Sequence, residues 1–184
     1  MKVIGISGSL RPGSYNRRLL LAARELLPDD VELEVWDGLK AVPPYDHEDD
    51  VEPAPAAVAR LRDAIAGADA VLFATPEYNS SIPGQLKNAL DWTSRPLATN
   101  VLRNKPVAVI GASTGVFGAV WAQAELRKVL AAIGARVLDA ELAVGQADRR
   151  LGPGGEVHDQ ELLAELRAVV WELVDEAVPL PLAA

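Results

Sequence analysis

The sequence predicts an α/β fold, a doubly wound five-stranded parallel sheet with helices on both faces. Three observations carry that prediction. Short β-branched runs alternate with longer segments of helical period, the pattern of parallel strands joined by crossover helices. The run at 70–74 is nearly all apolar, as a central strand covered on both faces must be. Segments rich in glycine and hydroxyl groups follow the first, third and fourth strands, where a sheet of this kind opens to a ligand.

Residues 3–7 read as the first strand, and a helix is expected over about 16–27, with Leu19, Ala23, Leu26 and Leu27 on one face and Pro28 closing it. The second strand, 31–36, leads into a long acidic, proline-rich loop at 37–55. Val58, Leu61 and Ile65 recur at helical spacing and predict a short helix over 58–66, before the third strand at 70–74. The second half of 75–92 reads as a helix from about Pro83, where proline gives up only a hydrogen bond that a first helical turn lacks anyway. A fourth strand at 106–111 precedes a helix over 117–133, carried by Val120, Ala124, Leu126, Val129 and Leu130. A weaker fifth strand at 136–142 and a glycine-rich turn at 151–155 lead to a last helix over 160–178. There Leu162, Leu166, Val169, Val170 and Leu173 recur at three and four, and Pro179 ends it. No internal repeat or linker appears, so one domain is expected over 1–184.

A formal net charge of -8 argues against a nonspecific nucleic-acid grip and against polybasic attachment to a membrane, so local groups must bind any anionic ligand. With no cysteine, thiol nucleophiles, disulfides and zinc-thiolate sites are excluded, and a cytoplasmic setting is expected. Met1 and Lys2 run straight into a strand-like segment, so no leader is expected. The uncharged span 106–124 is broken by Gly111, Ser113, Thr114, Gly115 and Gly118, which makes it strand, turn and helix rather than a membrane span.

After the first strand, Ser9, Ser14 and Asn16 supply hydroxyl and amide groups, Arg11 a planar cation, and Gly8 and Gly13 allow close backbone approach. These are the parts of a phosphate cradle at a helix N-terminus, and equally those of a helix cap reached through a glycine turn. The GxxxxGK[ST] and GxGxxG spacings are absent. Arg17 and Arg18 oppose the dipole of a first helical turn, so each needs an anion or solvent. After the third strand, Pro76, Glu77, Tyr78, Asn79, Ser80 and Ser81 form a polar segment with one aromatic ring, suited to a planar heterocycle or to an ordinary turn. After the fourth, Gly111, Ala112, Ser113, Thr114 and Gly115 repeat the theme.

GSLRPGSYN followed by TPEYNSSIPGQLKNALDW, together with VPPYDHEDD, resembles the NADPH-dependent FMN reductase family of flavodoxin-like quinone and chromate reductases, over about residues 1–145. The resemblance implies that Ser9, Arg11, Ser14 and Asn16 hold the FMN phosphate with Tyr15 beside it. Pro76, Glu77, Tyr78 and Asn79 would line the isoalloxazine, largely through main-chain groups, and Ser113 and Gly115 would border its other edge. A double glycine common in the family is here Gly118-Ala119. A homodimer or homotetramer is implied, with the helix 86–92 near a subunit contact to which Trp92 and the tail 178–184 are suited.

The chemistry so implied is hydride transfer from NADPH or NADH to bound FMN and then to a small-molecule electron acceptor such as a quinone, azo compound, metal oxyanion or free flavin. The cofactor would carry the difficult step, so no catalytic residue is nominated. A flavodoxin-like electron carrier is the rival reading. His47 and His158 lie outside the three loops and read as surface residues, and the acidic run 47–50 lacks regular metal-ligand spacing, so no metal is expected.

Overall fold

A computed structural model describes residues 1–178. Five parallel strands stand in the order β2-β1-β3-β4-β5: β1 Lys2–Ser7, β2 Glu32–Trp36, β3 Ala70–Thr75, β4 Pro106–Ala112 and β5 Arg136–Val144. The helices are α1 Tyr15–Arg24, α2 Ala56–Ala66, α3 Gly84–Thr93, α4 Val120–Ala132, the short α5 Ala147–Arg150 and α6 Gln160–Ala177. This is the doubly wound α/β sheet of the flavodoxin-like fold.

Strand alternation divides the core into two layers. Val3, Leu72, Ala108 and Ile110 pack toward Leu19, Leu20 and Ala23 of α1 and Leu162, Leu166 and Val170 of α6. Their neighbours Ile4, Ile6, Val71, Phe73, Val107 and Val109 face Leu61 and Ile65 of α2, Leu86 and Leu90 of α3, and Leu126 and Leu130 of α4. Both faces are covered, which is why β3 and β4 are buried at every position.

Several boundaries differ from expectation, each for a local reason. α1 stops at Arg24, because Leu26 N–H turns back to the Ala23 carbonyl and Leu27 precedes Pro28, which disfavours helical backbone. Leu26 and Leu27 still pack on the α1–α6 layer. α2 starts earlier, on Pro55. α4 starts only at Val120, because Gly118 (φ 60°) and Ala119 (φ 65°) take the left-handed backbone. α5 and a 3₁₀ turn at Leu39–Ala41 were not anticipated.

The acidic loop is tied down by one face of α3. Gln85 Nε2 donates to the Leu39 and Val42 carbonyls (2.9 and 2.8 Å), and Asn88 Nδ2 donates to Pro43 O (2.7 Å) while its Oδ1 accepts from Tyr45 N–H (2.7 Å). Trp92 donates from its indole to Pro43 O at 2.9 Å and meets the Tyr45 ring edge-on at 4.9 Å. Fully buried in its own chain, Trp92 has no surface to offer a subunit contact, which corrects the expectation placed on it. The other part of that expectation, the tail 178–184, lies outside the described residues except for the exposed Val178. Farther along the loop, Asp50 pairs with Arg62 at 3.0 Å, and the Arg62 guanidinium also donates to Trp92 O at 2.8 Å.

Candidate functional site

The loops after β1, β3 and β4 converge at the carboxyl edge of the sheet around a cavity of about 150 Å³. Of the residues that the resemblance assigned to the flavin, all line it except Asn79, at a turn tip, and Gly115; Ala112 and Thr114 complete it. A neighbouring cavity of about 350 Å³ lies between Leu10, Arg11 and Pro12 of the first loop and Tyr78, Pro83 and Gln85. The two share Arg11 and Tyr78, so one long ligand can lie across both.

The first loop is drawn against the third by backbone. Gly8 N–H donates to Ala74 O at 2.8 Å, and a Cβ at Gly8 would sit 2.9 Å from Leu86 Cδ2 and 3.3 Å from Pro76 Cδ, so a larger residue there would have to displace the Leu86 side chain. A Cβ at Gly13 meets no atom closer than 3.8 Å, so crowding does not require glycine there. Ser14 is the N-cap of α1, its Oγ accepting from Arg17 N–H at 3.3 Å, which realises the cap reading. The hydroxyl proton stays available. Among the described residues, the Tyr15 and Asn16 N–H groups have no protein acceptor, and the exposed Arg11 guanidinium has no carboxylate partner. Two unpaired amides at a helix N-terminus, two hydroxyls and a guanidinium are donors of the kind that bind an anion, so the cap does not exclude the cradle.

Asn16 has a role the sequence did not disclose. β3 ends with Thr75 opposite Gly111, one residue short of Ala112. The buried Asn16 amide fills that gap, accepting from Ala112 N–H and donating to Ala112 O, both at 2.9 Å. It therefore fastens α1 to the end of β4 and sets the distance between two of the loops. Arg17 pairs with Asp37 at 3.2 Å, and Arg18 lies over the Tyr15 ring with its guanidinium carbon 4.9 Å from the centroid. Neither lines the central cavity.

In the third loop, Tyr78 and Ser81 exchange backbone hydrogen bonds (3.0 and 3.2 Å) around Asn79 (φ 54°) and Ser80 (φ 60°), a tight two-residue turn with both central residues left-handed. This turn leaves Tyr78 half exposed at the cavity mouth. The Glu77 carboxylate is engaged elsewhere: one oxygen accepts from Trp121 and Ala122 N–H, each at 3.1 Å, capping α4, whose Ala119 cap position has no side-chain acceptor. Glu125, unnoticed in the sequence, accepts from Ser81 Oγ at 2.5 Å and from Ile82 N–H at 3.3 Å. Two carboxylates thus hold the third loop against α4.

The fourth loop is held by β5 and α5. Ser113 N–H donates to Val144 O (3.0 Å), Ala147 N–H to Ser113 O (3.0 Å) and Gln146 N–H to Gly115 O (2.9 Å). At Gly118 a Cβ would fall 2.4 Å from the Ala143 carbonyl carbon, so that half of the expected glycine pair is sterically required. Beneath the loop, Gln123 donates to Gly118 O at 3.1 Å while its Oε1 is buried without a protein partner.

A model of the family described as NADPH-dependent FMN reductase matches residues 1–149. The NAD(P)H-dependent FMN reductase PA1204 of Pseudomonas aeruginosa is 42% identical over 162 residues, covering 88% of this chain and 86% of that protein. A quinone reductase of Escherichia coli K12 is 37% identical over 169 residues, covering 90% and 89%. Among solved structures, FerB of Paracoccus denitrificans, a flavoenzyme NAD(P)H:(acceptor) oxidoreductase, superposes with a TM-score of 0.86 at 36% identity and 96% coverage of both chains.

Proposed function

From the membership of this chain in the NADPH-dependent FMN reductase family, we propose that the cavity at the carboxyl edge of β1, β3 and β4 holds FMN, and that the protein is an NAD(P)H-dependent oxidoreductase delivering electrons to a small-molecule acceptor of the quinone type. The observation that carries the assignment is the convergence of the three loops on one cavity whose phosphate end has unpaired donors. The donor set fits a flavin mononucleotide: a dianionic phosphate satisfies the Tyr15 and Asn16 amides, the Ser9 and Ser14 hydroxyls and the Arg11 guanidinium.

Bound there, FMN supplies a ring that takes a hydride from a nicotinamide and passes electrons on. The protein's part is orientation. Pro76, Glu77 and the Tyr78 turn offer backbone groups and an aromatic edge to a planar ring, while the Glu77 carboxylate fixes the loop to α4. Ser113 borders the opposite side, and Asn16 keeps the first and fourth loops in register. No side chain has to give or take a proton in the hydride half.

The reading extends to a cytoplasmic homodimer or homotetramer. Support for assembly comes from exposed Val116, Phe117, Val120 and Trp121 beside the site, with the two rings edge-on at 5.1 Å. Sedimentation equilibrium at micromolar concentration tests it, and a monomer there removes that part. The central test is anaerobic mixing of the FMN-loaded protein with NADPH or NADH, then with a benzoquinone. Rapid bleaching followed by recovery of the yellow colour supports an enzyme; no bleaching with either nucleotide supports an electron carrier instead.

A further inference from the structure

On the far side of the first loop lies a third cavity of about 190 Å³ that the flavin does not need. Its walls are the tip of that loop and the end of β2, with Arg17 and Lys40 reaching it from α1 and the 3₁₀ turn, and with Trp36 and Asp37 beside them. It shares Ser9 and Arg11 with the flavin cavity. The Trp36 ring lies so close over the chain that a Cβ at Gly38 would be 2.4 Å from its Cζ2, so the half-buried indole is fixed in place.

We propose that this cavity receives the 2′-phosphate of NADPH, with Arg17 and Lys40 as its cationic partners and Trp36 as the flat surface beside the adenosine. The inference rests on the hydride reading above and adds the nucleotide preference. In a chain of net charge -8, three cations, Arg11, Arg17 and Lys40, against the single carboxylate of Asp37 form a local positive exception. With Arg11 engaged by the flavin phosphate, Arg17 and Lys40 remain for a second phosphate.

Arg17 is held only by an exposed pair with Asp37 at 3.2 Å, the kind of contact that contributes little and exchanges readily for a dianion. The position has a physical precedent in dinucleotide folds, where an acidic residue or arginine beside the phosphate-binding strand reads the 2′ position of the adenosine ribose. Here both residue types meet: Asp37 suits a free 2′-hydroxyl, and the two cations outnumber it in favour of phosphate. The two cavities adjoin, since Ser9 and Arg11 border both.

The test is titration calorimetry on FMN-loaded protein with 2′,5′-ADP and with 5′-ADP, which lacks the 2′-phosphate. At low salt the expected result is at least tenfold tighter binding of 2′,5′-ADP, narrowing as salt rises. Arg17→Ala and Lys40→Ala should each remove most of that advantage, Arg17→Lys should restore part of it, and Asp37→Asn should enlarge it. Equal affinity for the two nucleotides, or an advantage unchanged in Arg17→Ala and Lys40→Ala, overturns the proposal. Anaerobic bleaching separates the failures. Bleaching by NADPH and NADH with equal kcat/KM refutes the 2′-phosphate site alone, whereas no bleaching with either refutes the hydride reading and this inference with it.

Discussion

Replacing Asn16 with alanine separates two roles that the sequence could not distinguish. If its amide mainly contacts a ligand, the apoprotein should tolerate the change; if it closes the end of β4, the apoprotein should suffer. The structure shows both Ala112 backbone groups bonded to Asn16 at 2.9 Å in a buried setting beyond the end of β3. Stranding one buried polar group costs about 1–3 kcal/mol, so losing both partners should cost the apoprotein about 2–6 kcal/mol. For a urea dependence of about 2 kcal/mol per molar, the unfolding midpoint should fall by about 1–3 M. Ser9→Ala is the comparator, because its hydroxyl accepts only a marginal 3.5 Å bond from Arg11 N–H in an exposed loop, and its midpoint should move by less than about 0.3 M. The assay is urea unfolding of both variants without FMN, followed by FMN titration. An unchanged midpoint for Asn16→Ala with lost FMN binding would refute the clamp and leave Asn16 as a ligand contact only.

Glu77→Ala should remove the only side-chain cap on α4 among the described residues and destabilise the fold by about 1 kcal/mol, with weaker FMN retention because the Tyr78 turn loses its anchor; thermal unfolding and flavin fluorescence measure the two effects. Gly118→Ala should cost more than about 3 kcal/mol or abolish soluble expression, since its Cβ would meet β5 backbone at 2.4 Å with φ at 60°; near-normal expression and melting would contradict the stated geometry. In Gln85→Ala the loop loses two carbonyl contacts, so limited proteolysis near 39–45 should speed up several-fold. Hydrogen bonds from Leu162 N–H and Arg150 hold the Asp159 carboxyl below its ordinary value. A depressed folded-state pKa stabilises the fold above the unfolded-state value of about 3.9 and is lost as pH falls through the folded-state value, so Asp159→Asn should flatten the acid limb of stability below about pH 4.

Much of the site was legible because its signals are local. Ser14 as a cap, proline before α3, the apolar run of β3 and the hydroxyl-rich loops after three strands are written in adjacent residues, and the convergence of those loops follows from the strand order. The roles missed act across long sequence separations. Asn16 reaches 96 residues to Ala112, and Glu77 and Glu125 each bridge about 44 between the third loop and α4. Trp92 was misassigned for a related reason: a large ring suits a subunit contact or an internal one equally, and only the packing of the 43–45 segment against α3 decides.

By itself the sequence determined the doubly wound sheet, the three loops that line the cavity and, through resemblance, the flavin chemistry, because periodicity and turn composition are properties of neighbouring residues. The tertiary structure alone decided how the polar side chains are spent. Asn16 and Glu77 satisfy backbone groups that the ends of β3 and α4 leave open, Arg17 turns to Asp37, and Arg11 stays unpaired. That division has a physical reason: which donors and acceptors lack partners depends on where strands and helices stop against one another, and no single segment carries that information.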